Sequence, residues 1–249
     1  MITLFKSGPH RNVMFNRLSP PGTVQGNQHL IVHGAQGILL DPGGHGVFPR
    51  LLAEVGSVMP LRELRFVFFS NQDPDVAASA GGWLVATEAE AFVSSLWARF
   101  VPHMNSSRLL AERIHSIPDK GMVLHLGEAH LKIVPAHFIY SPGNFQVYDP
   151  VSKILYTGDL GASLRAPYDQ VEDFDGHVQY MQPFHKRYIP SNKALKMWAN
   201  TVKSLEISML APQHGAVFPN RELVDRFIQW VEGLACGLDI MKESFPIPE

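Results

Sequence analysis

The sequence predicts an α/β protein in one domain, built of layered sheets with helices outside. Three observations carry this. Short apolar runs ending in turn residues fill much of the chain, as sheet strands require. Helical spacing appears between and after them. No internal repeat or low-complexity linker interrupts the 249 residues, a length that fits one large domain.

The elements follow in order. Residues 2–6 and 30–32 are short apolar strands. Residues 37–41 (GILLD) form a strand running into the turn Pro42-Gly43-Gly44. From 47 to 55, Val47, Leu51, Leu52 and Val55 share one helical face. The run 66–69 is a buried strand, stopped by Ser70-Asn71-Gln72-Asp73-Pro74-Asp75, because Pro74 and the acidic residues cannot continue a central strand. A helix is predicted at 77–87 and a strand at 91–94. Residues 122–126 and 130–135 pair through Gly127-Glu128. Residues 145–148 and 154–156 form a hairpin turning at Asp149-Pro150. Helices follow at 176–187 and 192–204. Pro190 separates them, and Pro183 kinks the first. A strand at 207–210 leads into Ala211-Pro212-Gln213-His214-Gly215. The last helix, 223–231, sets Leu223, Phe227, Trp230 and Val231 on one side.

Composition narrows the function. Hydrophobic residues make up 45% and charged residues 18%, ordinary for a chain with a sizeable core. The net charge is -2 without a basic cluster, which argues against nucleic acid as a partner. No apolar run is long enough to cross a bilayer, and residues 1–10 contain no signal-peptide core. With one cysteine, Cys236, no disulfide forms within the chain, and a cytoplasmic location is expected. Cys236 reads as a small buried hydrophobe. There are twelve histidines. His10, His29, His33, His45, His115, His125 and His130 lack acidic or histidine neighbours at ligand spacing and read as surface, turn or core residues; His103 and His177 read the same way.

Four strands end in loops with candidate ligands. These are Asn71, Asp73 and Asp75 on the first, then His137, Asp159 and His214 on the others. Loops at strand ends commonly carry sites. Two imidazoles and three carboxylates form a hard, mixed donor set suited to iron, manganese or zinc rather than copper(I). Five ligands with open positions left over point to two metals, spaced about 3.5–4 Å and able to clamp a small ligand.

The order of these residues resembles the metallo-β-lactamase superfamily. Its H-x-H-x-D-H after a buried strand, then His, Gly-Asp and a final His, is matched by Asn71-Gln72-Asp73-Pro74-Asp75-Val76, His137, Thr157-Gly158-Asp159 and His214. The resemblance runs from Ile38 to His214. It implies an αββα sandwich, two mixed sheets packed between outer helices. Asp73 replaces the motif's second histidine and Val76 its last. A carboxylate at the former position resembles the di-iron branch, the flavodiiron proteins with H-x-E-x-D. Ser141-Pro142-Gly143-Asn144-Phe145 after His137 is similar to that branch's H-x(4)-P-G segment. Carboxylate in place of imidazole favours iron over zinc.

The residues after this region are too few for a flavodoxin domain, so the resemblance is to stand-alone oxygen-binding di-iron proteins. The segment Phe184-His185-Lys186-Arg187-Tyr188 is similar to theirs. What this implies is a pair of iron ions (Fe2+/Fe3+), bridged by hydroxide, oxide or peroxide and without flavin. One would be held by Asp73 and His137, the other by Asp75 and His214, with Asp159 between them. The ligand implied is dioxygen or nitric oxide. The role implied is oxygen sensing, as in chemotaxis with a signalling partner, or reduction as an oxidoreductase with a rubredoxin-like external donor. A homodimer stays open. Asn71 stands where the family has histidine, so it is a weak amide ligand or leaves the position to water. The site is then a retuned pair, a single metal or a metal-free scaffold. Tyr188 and His185, with Tyr180, are the candidates to hydrogen-bond a bound ligand. The rival is a zinc hydrolase of the same fold, with Asp75 orienting a metal-bound water.

Overall fold

The computed structural model describes residues 1–100, 112–245 and 247–248. Among these residues two mixed sheets lie face to face. The first contains β1 (Ile2–Ser7), β2 (His10–Phe15), β3 (Gln28–His33), β4 (Gln36–Leu40), β5 (Leu64–Phe68), β6 (Glu90–Ser94) and β7 (Ile114–Ile117), in chain order across the sheet. Its first four strands are antiparallel, and β4 to β7 run parallel. The second contains β8 (Met122–Leu126), β9 (Ala129–Pro135), β10 (Phe145–Asp149), β11 (Ile154–Gly158) and β12 (Met209–Pro212), again in order. Only its β11–β12 pair is parallel.

Three apolar clusters make these sheets into four layers. Leu51 and Val55 of α1 (Phe48–Val58) and Trp83 of α3 (Ala80–Ala86) pack on the outer face of the first sheet, with Leu39 and Val67. Ile31, Ile38 and Phe68 meet Leu131, Phe145 and Val147 between the sheets. The outer face of the second sheet is covered by α5 (Phe174–Tyr188), α6 (Asn192–Val202) and α7 (Arg221–Gly233), through Met181, Trp198 and Phe227. Each such fully buried side chain contributes roughly 1.5–3 kcal/mol. This is the expected αββα sandwich. Among the described residues no helix is long and apolar enough to cross a membrane.

Local chemistry sets the helix ends. The Asp173 carboxylate accepts hydrogen bonds from the Asp175 and Gly176 N–H groups at the start of α5, while His185, Lys186 and Arg187 occupy its last turn, where the helix dipole favours positive charge. Pro183 lies inside α5. Asn220 caps α7 through Leu223 N–H.

Several expectations shift. The helix expected at 77–87 is two, α2 (Pro74–Ala77) and α3. Strands β2 and β7 were not foreseen. Asp149, expected in the hairpin turn, is the last residue of β10 and fully buried. His10, expected to lack a partner, donates from Nε2 to Asp149 Oδ2 at 2.7 Å. Asn12 and Ser152 donate to the same oxygen at 2.8 and 2.5 Å, and Asn12 also reaches Tyr156 Oη at 2.8 Å. This polar cluster ties β2 of one sheet to β10 and β11 of the other. Cys236 is buried, as expected. His103 lies outside the described residues.

Candidate metal centre

The candidate ligands follow strand ends on one edge of the sandwich. After β5, Ser70 donates its N–H to Asp41 Oδ1 at 2.7 Å, which fixes where Asn71 and Asp73 begin. At the end of β11, Gly158 has φ 58, and a Cβ there would come within 3.1 Å of the Ser70 side chain. Glycine therefore lets the Asp159 turn approach the Asn71 loop closely.

Asp73, Asp75, Asp159 and His214 line one cavity of about 600 Å³. His214 Nδ1–H donates to the Gln25 carbonyl at 2.9 Å. Its Nε2 then faces Asp75 Oδ2 at 3.4 Å and Asp159 Oδ1 at 3.6 Å. A backbone carbonyl on one ring nitrogen is the usual device for aiming the other at a metal. Burial, and then the nearby Asp75 and Asp73, push the Asp159 carboxyl up to about 8, against the opposing bond from Asn71. Burial likewise pushes Asp41 up to about 7.

Asn71 behaves differently from a ligand. Its Oδ1 accepts the Asp73 N–H at 2.9 Å, so its Nδ2 is the atom that meets Asp159 Oδ2, at 2.6 Å. The amide offers a proton to Asp159 and keeps its oxygen for the backbone. His137 is outside the cavity lining. Its Nε2–H donates to the Asp119 carbonyl at 2.8 Å, while Nδ1 is buried with no partner. That orphaned lone pair is a donor with no present use.

The two candidates for touching a bound ligand separate. Tyr188 lines the cavity and stacks on Phe184, ring centroids 4.7 Å apart. His185 does not reach it. Its Nδ1–H donates to Met181 O at 2.8 Å, its Nε2 accepts Gly161 N–H at 3.0 Å, and burial pushes the imidazole down to about 4. It is a neutral prop for the turn that follows Asp159. Tyr180 packs against Tyr168 and His177 instead. Tyr140 was missed by the sequence reading. It lines the cavity, and its hydroxyl donates to Asp73 Oδ2. Its place in the His137–Pro142 loop was the available signal. Removing this bond in Tyr140→Phe is expected to weaken iron binding about 10–100-fold, the usual cost of losing a partner that orients a metal ligand, measured by competition with a coloured chelator.

Among the described residues no three His, Cys, Asp or Glu side chains already stand closed around a metal position. The donor chemistry nevertheless fits a hard cation. Three carboxylates face one cavity, with burial and its neighbours raising the carboxyl of the buried member, one imidazole is aimed at them, and another keeps a buried free lone pair. Asp75, with its side chain 48% exposed, has room to draw inward. Val76 is buried in the core with Trp83, so it contributes nothing to a hydrolase's histidine set.

The architecture and the order of these residues define a metallo-β-lactamase-like protein. Residues 24–215 match the family described as ODP family beta lactamase, and the chain belongs to that family. It is similar to a structure described as the peroxy diiron species of chemotaxis sensor ODP, with 39% identity over 96% of this chain and 97% of that one, at a TM-score of 0.87. The apo state of chemotaxis sensor ODP from T. denticola is 38% identical, with 96% of each chain covered and a TM-score of 0.85. Rubredoxin oxygen:oxidoreductase from the anaerobe Desulfovibrio gigas shares the fold at 14% identity and TM-score 0.79, over 93% of this chain and 61% of that one. No curated protein matches the chain.

Proposed function

We propose that this chain is a single-domain, cytoplasmic oxygen sensor that binds dioxygen at a pair of iron ions and signals to a partner protein. The observation that carries it is the convergence of Asp73, Asp75, Asp159 and His214 on one cavity, in a chain similar over nearly its whole length to a di-iron chemotaxis sensor. Asp73 and His137 would hold one ion, Asp75 and His214 the other, with Asp159 shared. Iron held there would supply the redox electrons that binding of a diatomic ligand requires. The protein's own residues do the rest. The Asn71 amide pins Asp159 Oδ2, leaving Oδ1 toward His214. The Gln25 carbonyl fixes the His214 tautomer, and the Tyr140 hydroxyl steadies Asp73. Tyr140, Phe184 and Tyr188 form an aromatic wall of the cavity.

Metal analysis of protein purified without chelators, followed by the optical spectrum of the ferrous form before and after oxygen, tests this. About two irons per chain and a new visible band with oxygen are expected. Zinc in both positions, with no oxygen response, would sink the proposal in favour of the hydrolase. Repeated turnover with a rubredoxin-like donor would instead make the chain a reductase.

A further inference from the structure

A second cavity, of about 730 Å³, lies beside the metal cavity, and Thr23, Val24 and Leu164 line both. Two arginines line the second one, Arg17 and Arg165. Both hold left-handed backbone, φ 61 and 66, which non-glycine residues rarely adopt without a compensating reason. Their charges are used differently. Arg17 forks onto Asp169, with Nη2 at 3.2 and 3.1 Å from the two carboxylate oxygens, and Asn16 donates to the same carboxylate at 2.9 Å. Asp169 is thereby neutralised. Arg165 has no ion-pair partner among the described residues, so the lining keeps one unspent positive charge.

The same cavity touches the loop that carries His214. Gln25 supplies the carbonyl that His214 Nδ1–H meets. Asn27 Nδ2 donates to the Pro212 and Gly215 carbonyls at 3.0 and 2.9 Å. Ser163 donates its N–H to His214 O at 3.1 Å and accepts Ala216 N–H on Oγ at 3.0 Å. Gly215, at φ +82, lies so close to Ser163 that a Cβ would meet its carbonyl oxygen at 2.1 Å. Gln25, Asn27, Ser163 and Gly215 all line the cavity. The backbone that aims His214 is thus part of this cavity's wall.

We infer that this second cavity is an effector site for a small organic oxyanion, a carboxylate or a phosphate ester, anchored by the Arg165 guanidinium and read by the His214 loop. A guanidinium fork matches both anions through paired N–H bonds. The site does not depend on which metal the first cavity holds, so it is testable on metal-free protein.

The experiment is isothermal titration calorimetry of the metal-free chain with inorganic phosphate, glycerol 3-phosphate and benzoate. In parallel, the His214 imidazole resonances are followed by NMR, assigned with His214→Gln. One organic anion is expected to bind at one per chain, to shift the His214 signals, and to lose about 10-fold or more in affinity in Arg165→Gln, as expected for a charge-assisted bond. Arg165 is exposed, so that variant should fold. Binding of glycerol 3-phosphate alone assigns a phosphate ester, and binding of benzoate alone a carboxylate. No saturable binding tighter than about 1 mM, or equal binding by Arg165→Gln, overturns the site. Binding that leaves His214 unmoved overturns its link to the metal loop.

Discussion

Asp149→Ala is expected to destabilise the protein by about 3–5 kcal/mol, the range for removing one partner of a buried charged pair. The substitution strands His10, Asn12 and Ser152, all of which donate to Asp149 Oδ2 inside the sandwich. Chemical denaturation of the metal-free protein at neutral pH measures it. A loss below about 1 kcal/mol, typical of an exposed pair, would show that water replaces the carboxylate. The wild-type pH dependence has a definite sign. Burial pushes the Asp149 carboxyl up, but hydrogen bonds from His10, Ser152 and Asn12 and the charge of His10 bring it, on balance, below its ordinary value of 3.8. A lowered folded pKa gives stability that is present above the unfolded value and lost as pH falls through the folded one. Asp149 therefore adds acid lability below about pH 4, which Asp149→Ala removes.

The metal centre has the opposite sign. Asp159 at about 8 and Asp41 at about 7 both lie above 3.8. Their stability is full below the unfolded value and is lost as pH rises through the folded one, because the unfolded chain ionises first. Metal-free protein should thus lose stability as pH rises from about 4 to 8. Asp159→Asn keeps an acceptor for Asn71 and removes the charge. It should match wild type near pH 4, exceed it at pH 8 and fail to hold the metal pair. Melting curves across this range, with and without ferrous iron, provide the check. A wild-type profile that is flat from pH 4 to 8 would show that Asp159 is ionised without metal.

The sequence made much of this site legible. Asp73, Asp75, Asp159 and His214 each follow an apolar run, and a strand followed by a polar turn leaves its side chains at a sheet edge. Asn71 could be named but not understood, because the direction of its amide depends on the Asp73 N–H two residues on. His185 failed for a geometric reason. Helical spacing shows that it shares a face with Met181, but not that this face packs inward onto Gly161. His10 and Asp149 are 139 residues apart, beyond any local pattern. The same pair hid β2, since buried polar residues at His10 and Asn12 erase the alternation by which a strand is recognised. The short β7, Ile-His-Ser-Ile, has too little pattern to stand out.

Both sheets are laid down in chain order, β1 to β7 and then β8 to β12. Each new strand therefore joins the edge left by the strand just before it, and none must be inserted between earlier ones. During synthesis the first sheet can grow strand by strand as the ribosome delivers it, since neighbouring pairings close comparatively short loops. Its inner face, however, stays bare until the second sheet emerges, with Ile31, Ile38 and Phe68 lacking their cover and His10 and Asn12 lacking Asp149. The half-made chain is thus the vulnerable species. Its inner face is covered only as β8 to β12 follow, and Asp149 brings the partner that His10 and Asn12 await.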